Sequence, residues 1–271
     1  MAAALGLMAA AGGLPPPAAG ADRDPDWSVF RPEVDRSPQV VARAMLAIAG
    51  VGPGDLVYDL GSGDGVIVVM AAKEHGARAL GVDINPAMVE RAKANAAKAG
   101  VADRTAFVEG DLYKTDLKPA TVVTMFLWRS MNLRLRAQLL ELGPGTRVVS
   151  HLHDMGEWRP DRVKQVYHWR WGRRPVFLWV VPARIGGRWR LKIGGRELDV
   201  QIEQTFQRFH GRTPAGGEAK RTAHGLRNGS IDGRRIAFDL AAANGAWKRY
   251  TGAMTADGTL EGPGWSARRT M

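Results

Sequence analysis

The feature that most constrains this chain is the run Val57-Tyr58-Asp59-Leu60-Gly61-Ser62-Gly63-Asp64-Gly65, set between an apolar strand-like stretch and a helix-like one. Its glycines let the backbone turn sharply and approach a ligand that any Cβ would exclude. Dinucleotide-binding folds use a related loop, with the glycines spaced G-x-G-x-x-G. Here the spacing is G-x-G-x-G, and Asp59 stands two residues before the first glycine. A carboxylate at a pyrophosphate site repels its ligand, whereas the ammonium of a cationic ligand needs one.

The surroundings of the loop extend the pattern. Apolar strand-like runs at 56–60, 79–82, 105–108, 121–126 and 146–150 alternate with helix-like runs at 66–75, 86–99 and 132–142. Buried strands alternating with helices imply an α/β domain, a parallel sheet covered on both faces. Ser37-Pro38 reads as an N-cap and first helical residue, opening a helix through about Ala49. Asn85-Pro86 repeats that signature, and Gly100 closes the helix it opens. Beyond Ser150, the runs 163–171 and 176–182 read as two strands joined through Gly172-Arg173-Arg174-Pro175. From about Arg184 only short alternating runs remain, such as Trp189/Leu191/Ile193 and Ile236/Phe238/Leu240. Gly194-Gly195, Asn228-Gly229, Asp232-Gly233 and Asp257-Gly258 punctuate them with the positive φ that tight hairpins require. The expected organisation is an α/β domain over residues 35–182 and a small all-β domain, sandwich or barrel, over 184–271.

Charge divides the chain in the same sense. Residues 1–155 hold 16 Lys+Arg against 17 Asp+Glu, while 156–271 hold 22 against 10, so the net charge of +11 comes from the second half. Such a field attracts an acidic protein, RNA or an anionic membrane surface, and a well-solvated surface is the alternative reading. Trp169, Trp171, Trp179 and Trp189 interleave with Arg170, Arg173, Arg174, Arg184, Arg188 and Arg190, a set suited to stacking on single-stranded nucleic acid. At period-two spacing, tryptophans packing a core under an arginine face is the favoured reading. There are no cysteines, which removes disulfides, thiolate metal sites and cysteine nucleophiles. The six histidines are scattered, so no metal site is expected. At the N-terminus, an apolar run (Ala2–Ala11) and Ala19-Gly20-Ala21 make residues 1–21 a possible secretory signal, although no basic residue precedes the run. The alternative is a disordered leader.

Two further carboxylates end the next two strands. Asp83 falls 20 residues after Gly63, where an acid can accept both ribose hydroxyls, and Asp111 follows the third strand, where one can meet the adenine amino group. Together, Asp59–Gly65, Asp83 and Asp111 resemble the first three motifs of the class I S-adenosylmethionine-dependent methyltransferases. Tyr58–Gly65, Gly110-Asp111-Leu112, Ala120–Thr124, Asn132-Leu133-Arg134-Leu135, Val148-Val149-Ser150-His151 and Asp154-Met155-Gly156-Glu157-Trp158 are similar to small bacterial relatives of mitochondrial protein-lysine methyltransferases. The resemblance covers a little over half the chain. It implies a Rossmann-like seven-strand methyltransferase sheet, with the all-β domain appended and S-adenosylmethionine as cofactor. Asp59, Gly61, Ser62, Gly63, Asp83, Ile84, Asp111 and Leu112 would hold that cofactor, and the final two strands would form an edge hairpin. Two departures stand out: Val66 replaces a polar residue after the last loop glycine, and Leu127–Asn132 lacks the usual apolar-Pro sequence.

Methyl transfer from a sulfonium demands alignment and exclusion of water more than acid-base machinery. A lysine acceptor, whose free pKa is about 10.4, must also be neutral when it attacks. Candidate catalytic residues are Trp128, Asn132, His151 and Asp154, with Tyr113 beside them. His151 has an alternative role as a hydrogen-bonded core residue, and His153 is expected to be exposed. No Pro-Pro-aromatic run of the kind that holds planar amides or base amines follows the fourth strand. The function expected is protein-lysine N-methylation; the alternatives are an RNA or small-molecule methyltransferase and a non-catalytic module that keeps the cofactor fold.

Overall fold

The computed structural model describes residues 37–213, 225–241 and 245–270, so the proposed leader at 1–21 lies outside the described residues. One mixed sheet comprises β1 (Leu56–Leu60), β2 (Arg78–Asp83), β3 (Thr105–Glu109), β4 (Val122–Met125), β5 (Arg147–His151), β6 (Arg162–His168) and β7 (Gly172–Val180). Their order is β3-β2-β1-β4-β5-β7-β6, with β1 to β5 parallel and β7 antiparallel between β5 and β6. The order in which strands are added reverses between β1 and β4, which opens a crevice at the carboxyl ends of those parallel strands. Strand β4 is buried throughout, as expected where both faces of a sheet are covered.

Helices α1 (Gln39–Ala49), α2 (Val66–His75) and α3 (Pro86–Ala99) share one apolar cluster with the sheet. Helix α4 (Arg129–Leu140) belongs to the cluster on the other face. Only Val89, Ala92 and Ala96 of α3 are buried, a single stripe at helical spacing. Asn85 caps this helix by accepting from Ala87 N–H at 2.9 Å.

Three local readings change. Helix α1 begins at Gln39 with Pro38 extended before it and no side-chain cap; Ser37 Oγ instead meets His151 Nδ1 at 2.9 Å. Helix α4 starts at Arg129, earlier than its apolar period suggests. The edge hairpin turns at Trp169-Arg170-Trp171, because His168 pairs with Gly172, whose φ of +67° closes the turn. Arg173, Arg174 and Pro175 therefore lie within β7.

The remaining strands are β8 (Gly187–Ile193), β9 (Arg196–Thr205), β10 (Arg208–Arg212), β11 (Leu226–Asp232), β12 (Arg235–Ala241), β13 (Trp247–Met254), β14 (Leu260–Gly262) and β15 (Trp265–Arg269). Each pairs with its sequence neighbours and β15 pairs with β8, closing an eight-strand up-and-down barrel. Its interior, with Trp189, Phe209, Phe238 and Trp265, retains a void of only about 10 Å³ and is a core. Asn228-Gly229 is not a turn. Pairing shifts across it within β11, and a Cβ on Gly229 would stand 2.3 Å from Phe209 O, so it is a bulge.

The barrel packs against the end of the sheet remote from the crevice. Ala183 N–H donates to Gly233 O at 2.7 Å, and Gln207 Nε2 donates to Asp161 Oδ2 at 3.0 Å. Phe206, in the two-residue turn between β9 and β10, stacks on buried Trp158 with centroids 6.3 Å apart. Its φ of +51° is strained for a bulky residue, and packing on an otherwise open apolar face compensates.

Candidate functional site

Asp59, the penultimate residue of β1, is 3% exposed, its Oδ1 accepting from Thr124 Oγ1 on β4 at 2.7 Å. Burial, with smaller contributions from Asp83 and Asp64, raises its pKa to about 7 despite that hydrogen bond. A buried carboxylate in this state gains most from a cationic partner.

The loop beyond it is folded onto the protein. Gly61 and Ser62 N–H both donate to Val82 O, Gly65 N–H donates to Ser62 O, and Gly63 N–H donates to Asp83 Oδ2 at 2.7 Å. These amides are consumed internally, unlike those of a phosphate cradle, which point at the ligand. Gly61, Gly63 and Gly65 all have positive φ. A Cβ on Gly65 would stand 2.8 Å from the Phe107 ring, while one on Gly63 would meet nothing within 4 Å, leaving open space above the loop.

Asp83, half-buried, also accepts from Asn85 N–H through Oδ1 at 2.9 Å, so each oxygen keeps a lone pair for hydroxyl donors. Ile84 beside it is 47% exposed, an apolar surface at the crevice. Asp111 and Leu112 are half-buried after β3, and Asp111 Oδ1 accepts from Tyr113 N–H at 2.9 Å. Ser62 Oγ is buried with no protein partner, against Gly81, where a Cβ would stand 2.7 Å from it. Open space over Gly63, acids at three strand ends and an uncompensated carboxylate at Asp59 together fit an ammonium-bearing ribonucleoside and disfavour a pyrophosphate.

At the neighbouring ends of β4 and β5, the four catalytic candidates converge with different exposure. Trp128, at the start of α4, is 60% exposed and its ring lies 5.7 Å from that of His153. Asn132 is fully buried; its Nδ2 donates to Ser150 Oγ and His153 O, both at 3.0 Å, while its Oδ1 has no protein partner. His151 is also fully buried, 4.1 Å from the Phe126 ring, with Nε2 unpartnered. Burial first, then Arg174 and His153, lowers its pKa to about 3 and keeps it neutral. Asp154 accepts from Gly156 N–H at 2.9 Å and from Arg129 Nε at 3.0 Å, and these contacts hold its pKa below the usual range. His153, expected to be exposed, is half-buried, since α4 and Trp128 cover it.

Sequence reasoning missed Thr124, Ser150, Ser37 and Leu152. Leu152 has φ of +70° and His153 N–H donates to His151 O at 2.9 Å, a strained γ-turn just past β5. Ser150 Oγ, which donates to His153 O at 2.7 Å, and Asn132 clamp this turn. No local signal marks the contacts of Thr124, Ser37 and Asn132, because their partners lie on other elements. Among the described residues, no group of three or more His, Asp or Glu converges as a metal site.

Residues 59–162 match the family model described as the ANTKMT methyltransferase domain. A protein-lysine N-methyltransferase of Saccharolobus islandicus (strain REY15A) is 46% identical over 132 residues, 48% of this chain and 82% of the relative. The adenine nucleotide translocase lysine N-methyltransferase of Mus musculus is 37% identical over 134 residues, 49% of this chain but only 57% of that protein. Among solved structures, an RNA methyltransferase from Salinibacter ruber in complex with S-adenosyl-L-homocysteine is 47% identical, covering 55% of this chain and 95% of that one, with a TM-score of 0.53.

Proposed function

This chain belongs to the S-adenosylmethionine-dependent methyltransferases of the ANTKMT-domain family, and from that premise we propose that it methylates lysine side chains of a protein substrate. The observation that carries the reading is the 46% identity to a protein-lysine N-methyltransferase across 82% of that relative's length. S-adenosylmethionine supplies a methyl group activated on a sulfonium. Asp59 would pair with the ammonium of the donor, Asp83 would accept from its ribose hydroxyls and Asp111 would take its adenine amino group, with Ile84 and Leu112 as apolar walls. Gly61, Ser62 and Gly63 form the floor.

On the acceptor side, Trp128 offers an exposed ring to the lysine stem. The fully buried, neutral His151 and the Phe126 ring against it make a semi-apolar wall that favours the uncharged amine. With the donor bound, a lysine amine would gain the methyl group as the S–C bond breaks, and the methylated ammonium would then lose a proton. A pKa of about 3 makes His151 a poor base for that proton, so solvent receives it. Asn132 acts through the clamped turn at Leu152 and Asp154 through its pair with Arg129; both position the acceptor wall.

An RNA acceptor is the second reading, favoured by the description of the Salinibacter ruber structure as an RNA methyltransferase. One experiment separates them. Full-length protein is incubated with methyl-tritiated donor and cell extract, with or without prior ribonuclease. Label recovered as methyllysine after acid hydrolysis, unaffected by ribonuclease, is the expected result; label confined to nucleosides would overturn it.

A further inference from the structure

The edge hairpin carries large aromatic side chains into solvent beside the acceptor site. Strand β7 passes Val176, opposite the last residue of β5, and reaches back to Gly172. At about 3.3 Å per residue the hairpin thus overhangs the end of β5 by roughly 13 Å. Tyr167 is 72% exposed, Trp169 81% and Trp171 38%. Residues 162–180 hold five Lys/Arg and no Asp or Glu. An apolar cluster of this size, ringed by one sign of charge, marks an interaction surface.

Shape and stacking select the partner. Single-stranded RNA is held in a charged groove that tracks its backbone while its bases stack on ring faces. Here His168 stacks on Trp171 at 4.5 Å and on Trp169 at 6.0 Å, and Arg174 covers Trp171 at 5.3 Å. Trp171 is thus covered within the tip, while Tyr167 and Trp169 stand largely exposed on a projecting hairpin rather than along a groove. Amphipathic rings beside arginines, without carboxylates, suit the headgroup layer of an anionic bilayer. We propose that the β6–β7 tip docks the protein on an anionic membrane surface, with Tyr167 and Trp169 entering the headgroup layer and Arg170 and Arg173 binding lipid phosphates. Docking in this way turns the crevice toward the bilayer and selects acceptors held close to it. The proposal does not depend on the acceptor being lysine.

The test is co-sedimentation of the full chain with phosphatidylcholine vesicles, with or without phosphatidylglycerol. Wild type is expected to bind only the anionic vesicles, less as salt rises. Substituting Tyr167→Ala with Trp169→Ala should weaken binding about tenfold, and Arg170→Gln with Arg173→Gln roughly fivefold for each arginine. Trp247→Ala, on the barrel and 44% exposed, should leave binding unchanged. Calorimetry with S-adenosylmethionine verifies that each variant is folded. Failure to bind anionic vesicles, equal binding by the tip variants, or capture by a single-stranded RNA oligonucleotide but not by vesicles would overturn the proposal.

Discussion

The sheet and the barrel bury apolar strands in similar measure, yet they differ in how many local rules they break. Among the described residues, the buried polar side-chain atoms lacking a partner are Ser62 Oγ, Asn132 Oδ1, His151 Nε2, Trp158 Nε1 and Arg174 Nε, all on the sheet side. The buried Asp59 carboxylate and the strained turn at Leu152 lie there too. In the barrel, Arg190–Asp199, Lys192–Glu197 and Arg249–Asp239 pair on the outer face while Trp189 and Trp265 fill the core. Unpaired buried polar atoms collect on the sheet side, most of them near the crevice, while the barrel's departures from local rules, at Phe206 and Asn228, are backbone strains held by packing.

The sharpest way to break that contrast is Asp59→Asn. Removing the charge should weaken S-adenosylmethionine binding by about 100-fold or more, read by calorimetry. The same change should stabilise the ligand-free protein at pH 8, because the ionised carboxylate is unfavourable in the fold. Unchanged affinity would remove Asp59 from the site. Next in size, Phe206→Ala should cost about 2–3 kcal/mol and loosen the barrel from the sheet, seen as a second transition in thermal unfolding. Donor affinity should change less than about twofold, since Phe206 lies at the far end; a tenfold loss would mean that the two units are coupled.

Protonation sharpens the comparison further. With its pKa raised to about 7, Asp59 must lose a proton to pair with the donor ammonium. Affinity should therefore fall about tenfold for each pH unit below 7, with proton release on binding. Ligand-free stability from this group runs oppositely, present at low pH and lost as pH rises from about 4 to 7. His151 has the reverse sign: its folded pKa of about 3 lies below the unfolded value of 6.5, so its contribution is full above 6.5 and lost as pH falls toward 3. His151→Asn should flatten that acid limb in chemical denaturation measured across pH. The smallest effect belongs to the barrel surface, where Arg190→Ala should cost less than about 0.5 kcal/mol by urea denaturation.

The loop, the three acids and the alternation of strands and helices were legible because each is a local pattern, read within one element or its cap. The stretch 163–190 was not, and its tryptophans divide in a way spacing does not reveal: Trp179 and Trp189 are core, while Trp169 and Trp171 sit at an exposed tip. The turn there fell at 169–171 because pairing with β5 holds β7 in register. Similarly, Asn228-Gly229 has turn composition but lies beside Phe209, whose packing makes it a bulge.

By itself, then, the sequence determined the cofactor end of the sheet, because a ligand contacted by successive strand ends demands fixed residue types at fixed local spacing. Tertiary structure alone decided that Ser37 meets His151 from 114 residues away, that Thr124 holds Asp59 from 65 residues away, and that the barrel docks opposite the crevice. Those contacts depend on which faces remain uncovered once the sheet has closed, a property of the assembled surface that no single segment encodes.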